Sequence, residues 1–163
     1  MKKLLILLLT SLLFFSCSEQ KTKASSPKLS DAQATTLKKN LSWVNYHKYC
    51  GEQNLYAAQN FKKLKGTVVR WKGEFAMTTN PVNKSSAVAP EIKVKLKGGS
   101  GVISDLTMRS RKEHMKIAEK LERGDEVLFQ GKIMYRGEGL GDHVLQLDKF
   151  KYLPPKEPKK IVR

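Results

Sequence analysis

Thr67-Val68-Val69-Arg70-Trp71-Lys72-Gly73-Glu74-Phe75-Ala76-Met77-Thr78 is the stretch at which the chain changes period. Val69, Trp71, Phe75 and Met77 occupy alternate positions, the spacing of a strand with one buried face. Gly73 stands where a long strand can bend or bulge. Glu91-Ile92-Lys93-Val94-Lys95-Leu96-Lys97 alternates strictly, aliphatic residues on one face and charges on the other. Between these two strands, Asn80 to Pro90 reads as a turn-rich loop, and Gly98-Gly99-Ser100-Gly101 connects to a third strand over 102–106.

Further along, Ser110-Arg111-Lys112-Glu113 has the form of a capping box. His114, Ile117, Ala118 and Leu121 then repeat at helical spacing up to Gly124, a C-terminal stop. Two more strands are expected over 126–136 and 143–153, joined by Gly137-Glu138-Gly139-Leu140-Gly141. In the last of them Leu145 and Leu147 demand one face and Phe150 and Tyr152 the other, which a bulge near Asp148-Lys149 reconciles. Three strands, a helix and two strands is the order of an OB-fold, a five-stranded Greek-key barrel with a helix between strands 3 and 4. A generic α+β sandwich built from the same strands is the competing architecture.

Upstream of residue 64 the period is helical. Ser30-Asp31-Ala32-Gln33 forms another capping box with Leu29 available as a staple, and a helix is expected over 31–48. After Gly51 a second helix over 52–63 would align Leu55, Ala58 and Phe61.

The N-terminus reads as an address. Met1-Lys2-Lys3 and the apolar run Leu4 to Phe15 match a secretory leader too short to span a bilayer. The run closes on Leu13-Phe14-Phe15-Ser16-Cys17, which resembles a relaxed bacterial lipobox, with Phe14 where Leu is preferred. That resemblance implies lipidation of Cys17 with acyl chains such as palmitate, and a membrane as first partner. The alternative is an ordinary leader cut nearby, with Cys17 incidental. Ser18, again by resemblance to lipoprotein sorting signals, favours the outer membrane of a bacterial cell envelope. The chain thus divides into a leader (1–16), a lipidated cysteine and flexible tether (17–29), a helical segment (30–63), a barrel (64–153) and a disordered basic tail (154–163). The tether reaches about 40 Å at full extension.

With 163 residues, 40% hydrophobic, the chain can build one modest core; it is too short for a large multidomain enzyme and too apolar to be disordered throughout. Its two cysteines are too few for a disulfide scaffold.

Trp43-x-x-Tyr46-x-x-x-Cys50-Gly51, followed by Leu64-Lys65-Gly66-x-x-Val69-x-Trp71-x-Gly73-x-Phe75, is similar to the lumenal C-terminal region of wolframin. Lys120, Leu121, Gly124, Phe129, Gly137, Val144, Leu147 and Leu153 continue the register, so the resemblance spans 42–153. It implies a Cys-rich segment leading into an OB-fold, and it brings no catalytic residue. The role of wolframin in endoplasmic-reticulum stress and calcium balance belongs to a multi-spanning membrane protein and is not transferred. Where the wolframin pattern has a second cysteine this chain has Phe61, so Cys50 lacks an intramolecular partner if Cys17 is lipidated. Such a thiol is either buried or free to pair between molecules; burial is favoured.

The chain carries 31 Lys and Arg against 15 Asp and Glu, a formal charge of +16. Lys93, Lys95 and Lys97 project about 6–7 Å apart along one strand, with Arg70, Lys72 and Lys84 beside them. These are the candidate ligand-binding residues, within a contact surface of 80–97 and 137–141. Acidic lipids, acidic glycans or an acidic protein are the partners such a face attracts, with strong salt sensitivity. The bland alternative is a solvated strand face whose lysines discourage edge pairing. Nucleic acid is an unlikely partner, because no Phe, Tyr or Trp lies between Phe75 and Phe129 to offer a stacking platform. No catalytic, metal or cofactor motif is present. His47 and Cys50, three apart, are the remote candidates for a nucleophile pair or half a metal site, with no further His/Cys cluster nearby to complete one, and His114 reads as a core histidine. A noncatalytic, lipid-anchored binding or adaptor module is the expectation; a structural or stress-response envelope protein acting by shape is the alternative.

Overall fold

The computed structural model describes residues 26–79, 89–137 and 141–155. The expected leader, Cys17 and most of the tether, Lys84 and the end of the basic tail therefore lie outside the described residues. Helices α1 (Asp31–Lys39), α2 (Trp43–Cys50) and α3 (Ala57–Leu64) precede strands β1 (Val68–Thr79), β2 (Glu91–Lys95) and β3 (Leu106–Arg109). Helix α4 (Lys112–Ala118) and strands β4 (Glu126–Tyr135) and β5 (His143–Tyr152) complete the order.

The strands close into a barrel in the order β1-β2-β3-β5-β4. Every pairing is antiparallel except β3 with β5, which is parallel. This connectivity, with a helix between the third and fourth strands, is that of the OB-fold. The period-two residues carry it: Val69, Trp71 and Phe75 of β1, Ile92 and Val94 of β2, and Val127, Phe129 and Ile133 of β4 all face the core. Gly73 is required by close approach, since a Cβ there would lie 2.8 Å from the Lys95 carbonyl oxygen. The bulge expected in β5 is present: Gln130 pairs with Lys149 and Gly131 with Leu147, leaving Asp148 unopposed. Leu147 and Phe150 thereby both turn inward.

Five local expectations are corrected. The helix expected over 31–48 breaks at Asn40–Ser42, because Ser42 Oγ accepts from Asn45 N and starts a second helix. The freed Leu41 carbonyl accepts from Trp71 Nε1 at 2.7 Å, a bond that ties the break to the barrel. The helix expected over 52–63 starts at Ala57 and buries Ala57, Asn60 and Leu64, leaving Leu55 outside. Asn54 holds that start back, its Oδ1 accepting from Tyr56 N. The third strand lies at 106–109 rather than 102–106, since the Asp105 carboxylate takes Leu96 N and Gly101 N and keeps the preceding residues in a loop. Helix α4 is shorter than 110–124: Ser110 Oγ donates to the Pro90 carbonyl instead of capping, and Met115, not Ile117, is buried beside His114 and Ala118. In β1 the register slips between Phe75 and Met77, turning Met77 outward.

One core runs through helices and barrel alike, from Leu29 and Tyr46 to Phe129 and Leu147. Packed structure begins before Ser30, with Leu29 fully buried and its N–H donating to Asn60 Oδ1. Helix α2 covers the barrel end at which β2 and β4 finish and β3 and β5 start; α4 departs from the opposite end of β3.

Candidate functional site

Between α2 and the β2–β3 connection lies a cleft of about 350 Å³, lined by Trp43, His47, Glu52, Lys93, Ser100–Asp105 and Gly141–His143. That volume is at the small end of ligand pockets. Its floor is fixed by Asp142. One carboxylate oxygen, Oδ2, accepts from Ser104 Oγ and Thr107 Oγ1, each at 2.7 Å, and faces Lys93 Nζ at 3.3 Å. Asp105, one residue after Ser104, uses its own carboxylate to hold the connecting loop, with Leu96 N and Gly101 N at 2.7 Å. A Cβ at Gly99 would collide with that carboxylate, which explains the glycine-rich connection. The loop then presents Val102 and Ile103 at the cleft, 79% and 54% exposed.

Aromatic rings form the wall beneath α2. The Tyr46 and Trp43 rings meet the His143 imidazole edge-on at 5.0 and 5.6 Å, and Trp43 meets Trp71 at 5.5 Å. His143 Nδ1 accepts from Gly137 N at 3.2 Å and lies 3.0 Å from the Tyr46 hydroxyl. A backbone N–H can only donate, so Nδ1 is an acceptor, the ring proton sits on Nε2, and Tyr46 donates as well. Burial pushes the His143 pKa down to about 4, reinforced by His47 and Arg136. Burial likewise raises Tyr46, and pushes the Cys50 thiol up to about 12. All three groups are therefore neutral at neutral pH.

The residues singled out in the sequence are spread over two parts of the barrel surface. Arg70 and Lys72 stand outside β1 on the stretch that pairs with β4, and Lys72 lies 3.5 Å from Glu126. Lys93 is bound to Asp142, while Lys95 reaches the Val102 carbonyl at 3.4 Å and pairs across the ladder with Glu74. Lys97 is exposed beyond the end of β2. Within the stripe the charge of Lys93 is thus neutralised by an acid that a single-strand reading does not see. His47 lines the cleft and packs on Trp43, whereas Cys50 is a fully buried free thiol; no hydrogen bond joins them. His114 is a core histidine whose Nδ1 faces Arg111 N at 3.4 Å. Among the described residues no group of three or more His, Cys, Asp or Glu is placed to hold a metal ion.

No family model matches the sequence, and no curated protein matches it. Solved structures with partial likeness include an OBody, NL8, bound to hen egg-white lysozyme, at 14% identity and TM-score 0.41, over 56% of this chain and 100% of that one. Another is asparaginyl-tRNA synthetase from Pyrococcus horikoshii, at 17% identity and TM-score 0.41, over 56% of this chain. The match spans 20% of the synthetase chain. The OB-fold itself rests on the strand order of this chain.

Asp142, Ser104, Thr107, Val102 and Ile103 are the site residues that sequence reasoning missed. The available signal was Asp105 and Asp142, each following a glycine-containing segment and each opening a strand.

Proposed function

We propose that the protein is a noncatalytic binding or adaptor module, lipid-anchored through Cys17 in a bacterial cell envelope, which takes a protein partner in the cleft between α2 and the β2–β3 loop. The leader-like start, with Lys2, Lys3 and the apolar run up to Cys17, supports the anchor. The observation that carries the cleft is the three-donor clamp on Asp142 Oδ2, which fixes polar ground behind the exposed Val102 and Ile103. A rigid polar base behind apolar side chains suits a protein segment that buries one or two apolar residues. The likeness of 42–153 to the wolframin region belongs to the same proposal, as shared architecture without a shared role.

The anchor is tested by palmitate labelling, which should vanish in Cys17→Ala; labelling that persists would exclude it. For the cleft, a photo-crosslinker at position 103 should capture one envelope protein that a crosslinker at Lys116 on α4 does not. The Ile103→Asp protein should lose that partner while keeping its fold, and raised salt should leave the capture intact. A second reading, an anionic ligand on the strand face, is favoured by Arg70 and Lys97, exposed and without an ion pair among the described residues. Salt-sensitive binding of acidic vesicles, lost when Lys93, Lys95 and Lys97 become Ser, would transfer the function there.

A further inference from the structure

The corner where the chain enters the fold is built from three segments, and two buried amides lock them together. Asn54 Nδ2 donates to the carbonyls of Pro27 and Lys48, both at 3.0 Å. Asn60 Nδ2 donates to the carbonyls of Pro27 and Tyr49, at 2.9 and 2.8 Å. The incoming strand of chain, the end of α2 and the start of α3 therefore form one rigid corner. Apolar and aromatic groups reach solvent at this corner. Leu55 is 88% exposed and the adjoining Tyr56 37%. Lys28 lies over the Tyr56 ring at 5.5 Å, and Lys48 over the Tyr49 ring at 5.7 Å. Glu52, at the cleft, is the acid of the turn.

We infer that this corner is a membrane-contact tip, with Leu55 and Tyr56 inserted at the headgroup level of the bilayer that holds the lipid on Cys17. The inference rests on the anchor reading above and adds an orientation to it. Pro27 follows Cys17 by ten positions, a reach of about 35 Å at most. A bilayer anchored through Cys17 thus lies within that distance of the corner that receives Pro27. An aliphatic side chain beside a tyrosine whose ring carries a lysine that can extend toward phosphate is the chemistry suited to the polar–apolar boundary of a bilayer. Lone exposed aliphatic residues are ordinary on soluble proteins; the second observation here is the fixed junction between Leu55 and the anchoring segment.

The test uses the full lipidated protein, reconstituted in vesicles of phosphatidylethanolamine and phosphatidylglycerol. A polarity-sensitive fluorophore is placed through Leu55→Cys and, separately, through Lys151→Cys at the far end of β5; Cys50 is buried and escapes labelling. The probe at 55 should brighten several-fold, shift to the blue and be quenched by nitroxide-bearing lipids, while the probe at 151 stays in water. Vesicle flotation with a wet probe at 55, or with both probes buried, would overturn the tip and leave the anchor standing. Failure of the unlabelled protein to float, with Cys17 unmodified, would remove the anchor and the tip with it.

Discussion

Acid should destabilise this protein through His143 in particular. The imidazole is buried at the base of the cleft, and its Nδ1 lone pair receives both Gly137 N–H and the Tyr46 hydroxyl. Protonation would put a donor where two donors already point. The pKa is accordingly lowered from 6.5 to about 4, with burial the leading cause. Between those values the unfolded chain takes up a proton that the folded chain refuses. The stabilisation is fully present above pH 6.5 and is lost as the pH falls toward 4. Its size follows from the displacement of the protonation equilibrium, about 3 kcal/mol, against a total of about 5–15 kcal/mol for a domain of this kind. Carboxylates such as Asp31, whose pKa is lowered by its bond to Lys63, titrate in the same acid range, so the comparison must be internal. His143→Asn keeps an acceptor near the Nδ1 position and cannot gain the proton. Urea denaturation followed by fluorescence of the buried Trp43 and Trp71, repeated at pH steps, gives both curves. The native protein should lose about 3 kcal/mol more than the variant across this interval. Parallel curves would refute the placement of His143 as a neutral acceptor.

Asn60→Ala should cost about 2–5 kcal/mol in the same denaturation assay, because it strands the Leu29 N–H and the Tyr49 carbonyl in the interior while Pro27 keeps its bond from Asn54. A loss below about 1 kcal/mol would mean that water replaces the amide. Cys50, fully buried and with its thiol pushed up to about 12, should resist alkylation at neutral pH until the protein unfolds. Mass spectrometry after timed iodoacetamide treatment reads this directly, and rapid native labelling would contradict the burial.

Much of the barrel was legible in the sequence because strands write their burial at a spacing of two. The conflict between Leu147 and Phe150 even located the bulge, since one unopposed residue is the least disturbance that turns both inward. Errors clustered where a polar side chain competes with the backbone for local hydrogen bonds. Ser42 starts a helix inside a continuous helical pattern, Asn54 delays α3, and Asp105 holds Val102 and Ile103 out of β3. The candidate site was less legible. Lys93 reads as one of three equal lysines, yet its charge is spent on Asp142, whose other partners Ser104 and Thr107 lie 38 and 35 residues away along the chain.

By itself, then, the sequence determined the alternation of faces, the order of the barrel elements and the basic excess, because each depends on neighbours a few positions apart. Tertiary structure alone decided which lysines are neutralised, that His143 becomes a buried neutral acceptor, and that Leu55 sits beside the entering chain. Those properties arise where closing the barrel brings β2, β3, β5 and α2 to one end, and where buried amides join segments far apart in the chain. Charge pairing and desolvation depend on distance in space, which a pattern along the chain does not encode.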